Sequence, residues 1–398
     1  MEIKQKRPRL LLVCYANSAH ALPWISLLNG SEFDVRIFST PLREEEQNTR
    51  NWSHPTYIAV KPEKGVYPAK KIYSLLPGRP VRAISNLLNH RFSITKRWLQ
   101  WVIQTWKPDI LHSMPLDVGG KLAAQALKDL PRSKWPKWVA SAWGSDIYLG
   151  VDDPQKSLTI QYILENCDGF MADCKRDMQL AVQNGLAPQK LAFDHSIPGA
   201  GGLDLNYFRQ LRAKNKKRDV ILIPKAFERE HANRTLPALE ALNMLGADIQ
   251  PYEIHLVMTS QVVLAWLRQM PQPFRDRCHI HSTLPQQELF ELYGKARVVL
   301  SPSLSDGTPN VMLEAMGAGA LPIMSPIDSI KEWITDGENG LLAHALYPDQ
   351  IATALKRALT DDVLFERVQR LNWEIVCKRA DKQLVREKVL TFYRGLLR

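Results

Sequence analysis

Cysteine is scarce and unpatterned in this chain. Five cysteines in 398 residues (Cys14, Cys167, Cys174, Cys278 and Cys377) make an odd number with no C-x-x-C pair. That excludes a disulfide frame and a cysteine-based zinc site, and it fits reduced thiols in a cytosolic protein. Long apolar runs are also missing: none approaches the roughly 20 residues that a spanning helix needs. Residues 1–9 are basic and residues 10–14 apolar, which superficially resembles a signal peptide. The apolar part is too short and runs into Tyr15-Ala16-Asn17-Ser18, so it reads as a first strand and its loop. Acidic charge is in deficit, with 52 Lys and Arg against 41 Asp and Glu, a net charge of +11. An acidic partner is implied. No helix-turn-helix, aromatic RNA-binding signature or zinc module occurs, so nucleic acid is not expected. The glycines of 198–202 do not make G-x-G-x-x-G between a strand and a helix, which leaves a dinucleotide fingerprint unsupported.

What is present is an α/β pattern long enough for two domains. Its most informative part is 298–334, VVLSPSLSDGTPNVMLEAMGAGALPIMSPIDSIKEWI, which reads as strand, loop, helix, strand, helix. Val298-Val299-Leu300 is a buried strand ended by Ser301-Pro302. Thr308 suits a helix N-cap and Pro309 the first helical position. The amides of Asn310, Val311 and Met312 would then point out of the helix start, where unpaired N–H groups and the helix dipole attract anions. Val311, Met312, Ala315 and Met316 form the buried face of the wheel, with Asn310 and Glu314 opposite. Asp306, in the loop, and Glu314 thus bracket an anion-friendly turn, an arrangement suited to a ligand with both phosphate and hydroxyl groups.

Asp306-Gly307-Thr308-Pro309, then Glu314-Ala315-Met316-Gly317-Ala318-Gly319 and Leu321-Pro322-Ile323, resemble the acidic-x7-Glu signature of the retaining, family-4 glycosyltransferases of GT-B fold. The resemblance implies an α/β GT-B protein: two Rossmann-like α/β/α domains facing each other across a cleft, the C-terminal helix packing back on the N-terminal domain. It implies an acceptor-binding domain over 1–205, a nucleotide-sugar-binding domain over 216–375, and a returning helix over 376–398. In the family the first acid holds a donor-sugar hydroxyl and the second the nucleotide ribose. Asp306 is one methylene shorter than the usual Glu, so donor choice or sugar position can differ. The usual turn after the first strand of the second domain carries an Arg and a Lys on the donor diphosphate. Lys225 aligns with the first; Asn233 stands near the second, leaving Arg229 or Arg234 to substitute. A leaving diphosphate needs fixed cations, and no D-x-D motif occurs, which argues against the metal-dependent GT-A class. Gly307, Thr308, Asn310, Val311 and Met312 would face the donor, and no cofactor or metal is expected beyond a UDP- or GDP-linked sugar.

The N-terminal half matches less well. Residues 16–25 lack the glycines usual in the first strand–helix turn but resemble a family variant in which a His and a Trp, here His20 and Trp24, open the first helix. His20 is a candidate contact to acceptor or donor, with a structural role the alternative. Residues 143–146 read Trp-Gly-Ser-Asp where the family often has His-Gly-Ser-Asp, so the catalytic role of that His is not carried over to Trp143. Strands are expected at 33–38, 138–142, 168–173 and 193–197, helices at 119–130, 158–166 and 175–184, and a linker at 211–219. His279 and His281 sit at alternate strand positions, a spacing that can ligate metal but lacks further ligands nearby in the sequence. Residues 61–107 hold ten Lys or Arg and one acid, Glu63, with interleaved apolar residues. They read either as ordinary helices with a solvated basic face or as a surface for an anionic membrane or phosphorylated acceptor. The resulting expectation is a retaining hexosyltransferase that moves sugar from a nucleotide sugar to a glycan, lipid-linked or other hydroxyl acceptor. It would be cytoplasmic and peripheral at the inner face of the membrane. The alternatives are a GT-B epimerase or hydrolase, and an inactive scaffold, which Trp143 and Asp306 favour.

Overall fold

A computed structural model of the chain describes residues 7–16, 18, 20–40, 54–60, 71–76 and 93–398. They form two compact units, residues 1–201 with 385–398 and residues 202–384.

Unit 1 is built on a seven-stranded sheet in the order β4-β3-β2-β1-β5-β6-β7. The strands are Arg9–Cys14 (β1), Asp34–Ser39 (β2), Thr56–Val60 (β3), Ile72–Leu76 (β4), Ile110–Ser113 (β5), Lys137–Ser141 (β6) and Gly169–Met171 (β7). All pairs are parallel. Alternate residues feed opposite faces. Leu11 and Val13 of β1 join one core with the helix Ile94–Trp106, and Leu10, Leu12 and Cys14 join the other. Val385, Val389, Leu390 and Tyr393 of the last helix, Lys382–Leu396, complete that second core.

Unit 2 is a six-stranded parallel sheet in the order β10-β9-β8-β11-β12-β13. Its strands are Val220–Ile223 (β8), Glu253–Val257 (β9), Cys278–His281 (β10), Ala296–Ser301 (β11), Leu321–Met324 (β12) and Leu341–Leu342 (β13). Ile221, Ile223, Val298 and Leu300 pack against the helices Thr235–Leu245 and Pro348–Thr360. Val220, Leu222 and Val299 face the helices Gln286–Lys295 and Asn310–Ala318. From β8 the chain proceeds outward to β9 on one side and later to β11 on the other. The carboxyl ends of β8 and β11 therefore flank a topological switch point, where open α/β sheets bind ligands. β1 and β5 flank the corresponding point in unit 1.

Three local expectations are corrected. The stretch 211–219 is not all linker, because the helix Leu205–Lys214 runs into it. Asp204 caps that helix by accepting from the Asn206 and Tyr207 amides, both at 3.2 Å, and Phe208 and Leu211 are buried one turn apart. Residues 193–197 form no strand; the segment is tied by Ile197 N–H to the carbonyl of Ala172, just past β7, at 3.3 Å. Residues 119–120 close a wide π-turn before the helix Lys121–Lys128. A Cβ at Gly119 would meet the Val13 carbonyl oxygen at 2.2 Å, so only glycine fits there. Most of the basic stretch, 61–70 and 77–92, lies outside the described residues. Of the rest, the helix Ile94–Trp106 buries Leu99, Val102, Ile103 and Trp106 in unit 1 and pairs Lys96 with Asp129 at 2.8 Å.

Candidate functional site

Lys225 follows β8 by two residues and Asp306 follows β11 by five, so the switch point brings together two side chains 81 positions apart. Lys225 Nζ lies 3.3 Å from Asp306 Oδ2, with the side chains 23% and 26% exposed. The other carboxylate oxygen accepts from the Gly307 amide at 3.0 Å. One acid thus neutralises the cation and holds a loop amide, both of which the sequence assigns to the donor.

The loop bearing Asp306 is held from two sides. Arg234 N–H donates to Pro302 O and Leu304 N–H to Ala232 O, both at 3.1 Å, which ties it to the hairpin after β8. On the far side Ser325 Oγ accepts from Ser303 N–H at 2.9 Å, and Ser329 Oγ donates to Asp306 O at 2.9 Å. The Trp333 indole donates to Thr308 Oγ1 at 3.1 Å. Thr308 is therefore buried and occupied by Trp333, not a helix cap: Pro309, with extended backbone, stands at the N-cap and the helix runs Asn310–Ala318. The first turn is tight, and the Met312 amide donates back to Pro309 O at 3.1 Å. The Met312 amide, expected to face an anion, is thereby paired within the chain. Leu313, Gly317 and Ala318 are buried as well, so the helix is wrapped more fully than its two-sided pattern implied. Its far end closes at Gly319, whose φ of +80° suits glycine, and Arg218 donates to Ala318 O at 2.9 Å.

Glu314 is half-buried on this helix. It faces Tyr293 of the Gln286–Lys295 helix, and burial first, then this carboxylate, push the phenol well above its ordinary pKa. Of the other cations, Arg234 is paired with Glu228 at 3.4 Å. Glu228 also accepts from the Leu236 amide at 2.6 Å, capping the next helix. Arg229 is exposed and lies over the Phe227 ring at 5.1 Å. Asn233 is buried; its amide reaches Lys225 O at 3.4 Å, beside the Thr235 hydroxyl at 3.1 Å. It helps to position the lysine backbone. Ser325, Ser329 and Trp333 carry no local sequence signal, because each acts on a residue more than twenty positions away.

In unit 1 His20 is exposed at the start of the helix Ala21–Leu27. The cap there is Ser18, whose Oγ accepts from the Ala21 amide at 2.9 Å. The His20 ring lies 5.5 Å from Trp143, on the loop after β6, so the two residues the sequence treated separately are neighbours. Asp146 is structural: its carboxylate accepts from the Trp143 and Leu116 amides, both at 2.8 Å, stitching the loops after β6 and β5. Burial pushes its pKa up to about 7. His112 on β5 is buried between Tyr393 Oη and Ser141 Oγ, each at 2.6 Å. Burial lowers its pKa to about 3, which keeps the imidazole neutral.

Residues 220–361 match the family model described as Glycosyl transferases group 1. A stretch of 81 residues is 32% identical to D-inositol 3-phosphate glycosyltransferase of Corynebacterium aurimucosum, covering 20% of this chain and 19% of that protein. The protein of the same description from Corynebacterium urealyticum is 33% identical over 78 residues, 20% of this chain and 18% of its own length. The matched segment thus spans about a fifth of these relatives. Among solved structures, HepE of Anabaena in complex with UDP and glucose has a TM-score of 0.70 at 13% identity, covering 98% of this chain and 100% of that one. Sucrose-phosphate synthase from Thermosynechococcus elongatus has a TM-score of 0.69 at 16% identity, covering 98% and 99%. At such identities the likeness is one of fold. Residues 220–361 thus match the glycosyl transferases group 1 model, on a chain whose fold is similar to that of these GT-B structures.

Proposed function

We propose that the protein is a retaining glycosyltransferase that moves a hexosyl group from a UDP- or GDP-linked sugar to a hydroxyl acceptor. The observation that carries this reading is the Lys225–Asp306 pair, 3.3 Å apart at the switch point of unit 2 and next to a helix start. A fixed cation and oriented amides stabilise charge that develops on a leaving diphosphate. Donor binding exchanges partners: Lys225 turns from Asp306 to the diphosphate, and Asp306 turns to a sugar hydroxyl. Glu314 holds the ribose, and the Asn310 and Val311 amides face phosphate. Arg229 is the better second cation, since Glu228 already neutralises Arg234.

In the front-face mechanism of the family, the acceptor oxygen attacks the anomeric carbon from the side on which the diphosphate leaves. The sugar–phosphate C–O bond breaks, and the acceptor proton passes to a phosphate oxygen. Unit 1 would supply the acceptor surface, with His20 and Trp143 on neighbouring loops the first residues to test. The acceptor is a glycan, lipid-linked or small-molecule hydroxyl. A cytoplasmic, peripheral position at an anionic membrane through 61–107 rests on the charge of that stretch alone. Flotation with anionic liposomes tests it, and absence of binding at low salt would remove it. No helix of the described residues is long and apolar enough to cross a membrane.

The experiment is a nucleotide-sugar panel read by released nucleotide, with and without acceptors. Transfer predicts release that depends on acceptor and is lost in Asp306→Ala and Glu314→Ala. Donor turnover without acceptor would point to an epimerase or hydrolase. Equal signal from wild type and both variants would defeat the assignment.

A further inference from the structure

We propose that the outer edge of the unit 2 sheet binds a divalent transition-metal ion of the zinc class through Glu253, His255 and His279, with His281 supporting His255. This goes beyond the donor reading and does not depend on it. The pair His279 and His281 offers too few ligands on β10 alone; the parallel register supplies the rest. His279 stands opposite His255, and His281 opposite Val257. Alternate residues of a strand share a face, so Glu253 and His255 of β9 project on the same side as His279 and His281 of β10.

The ligand atoms converge. Glu253 Oε2 lies 3.4 Å from His255 Nε2 and 3.9 Å from His279 Nε2. One ligand atom from each of these three residues falls within 4.8 Å of the others. A tetrahedral zinc ion with bonds of about 2.0–2.1 Å holds its ligands roughly 3.3 Å apart, so small side-chain shifts close the site. The His255 and His279 rings stack with centroids 4.6 Å apart and planes 20° apart, which holds the two imidazoles side by side. His255 Nδ1 lies 3.1 Å from His281 Nε2. A metal-bound imidazole commonly has such a partner on its second nitrogen, which fixes tautomer and orientation.

The donor set chooses the ion. Two imidazoles and one carboxylate suit zinc, nickel or copper, whereas magnesium asks for oxygen ligands. The side chains of His279 and Glu253 are 44% and 57% exposed, so an ion has a path in and a solvent-facing fourth position. The nearby cation Lys217 is paired with Asp219 at 2.5 Å. An ion here would clasp the edge strand β10 to β9 and blunt an edge otherwise open to pairing.

The test uses the full chain with no affinity tag, stripped with EDTA and dialysed against zinc sulfate or magnesium chloride. Metal content and melting temperature are the readouts. The expected result is one zinc ion per chain at micromolar free zinc, a zinc-dependent rise in melting temperature, and no response to magnesium. His279→Gln and Glu253→Gln should lose the bound ion and the thermal shift while keeping the wild-type circular dichroism. His281→Gln should weaken binding about tenfold. Zinc uptake that is absent in the wild type, or unchanged in His279→Gln and Glu253→Gln, would overturn the proposal.

Discussion

Asp306 has two jobs that can be separated by measurement. With no ligand it neutralises Lys225; in the proposed donor complex it holds the sugar. Asp306→Ala should therefore leave the affinity for bare UDP or GDP unchanged, or tighten it a few-fold, because Lys225 is released. Sugar transfer should still fall by about 10²–10³, the usual cost of one polar contact at a reacting centre. Lys225→Ala should weaken nucleotide binding and transfer together. Calorimetric nucleotide titrations beside turnover assays distinguish the two patterns, and parallel losses in both variants would contradict the exchange of partners. A second pair of residues bears on pH. His112 is held neutral, its pKa near 3 against an ordinary 6.5, so between those values the unfolded chain binds more protons. Its contribution to stability falls as pH drops. Asp146, raised from 3.8 to about 7, acts in the opposite sense: the folded chain binds more protons, and stability is lost as pH rises through that window. The two contributions oppose each other between about pH 4 and 6.5. In Asp146→Asn the His112 contribution stands alone, and stability should fall on acidification more steeply than in wild type, by up to about 1.4 kcal/mol per pH unit. Melting both proteins at a series of pH values checks this; parallel curves would count against it.

Elements show where sequence reading succeeds and where it stops. The strands β2, β6, β7 and β11 were legible because apolar periodicity and turn residues are local signals. That Asp306 lies in a loop and Glu314 on the following helix was legible because their spacing is local. The partner of Asp306 was not, since Lys225 meets it only once β8 and β11 pair. Thr308 looked like a cap by residue type, but the Trp333 indole, 25 positions away, claims its hydroxyl. The stretch 211–219 looked like a linker by charge, although Leu211 is buried and Asp204 sits at the cap. That cap gives a measurable consequence. Asp204→Ala should cost about 0.5–2 kcal/mol in denaturant unfolding, and the smaller change Asp204→Asn should recover most of it.

For the whole molecule, chain order and packing order differ. From Val385 onward the last helix belongs to unit 1, where Val385, Val389, Leu390 and Tyr393 are each no more than 2% exposed. Burying each such aliphatic side chain is worth about 1.5–3 kcal/mol, against a total stability of about 5–15 kcal/mol for a typical domain. Removing residues 385–398 should therefore abolish the cooperative melting of unit 1, seen as loss of its tryptophan near-ultraviolet signal. Tyr393→Phe is the milder test. It takes away the hydroxyl beside His112 and should cost about 1–3 kcal/mol without changing the fold. The exchange of partners at Lys225 and Asp306, in the other unit, is tested most directly by a crystal structure of the protein with a bound nucleotide sugar. In that complex Lys225 Nζ should leave Asp306 for a diphosphate oxygen, with the sugar against Asp306 and the ribose against Glu314. A nucleotide bound elsewhere while the Lys225–Asp306 pair stays closed would contradict it.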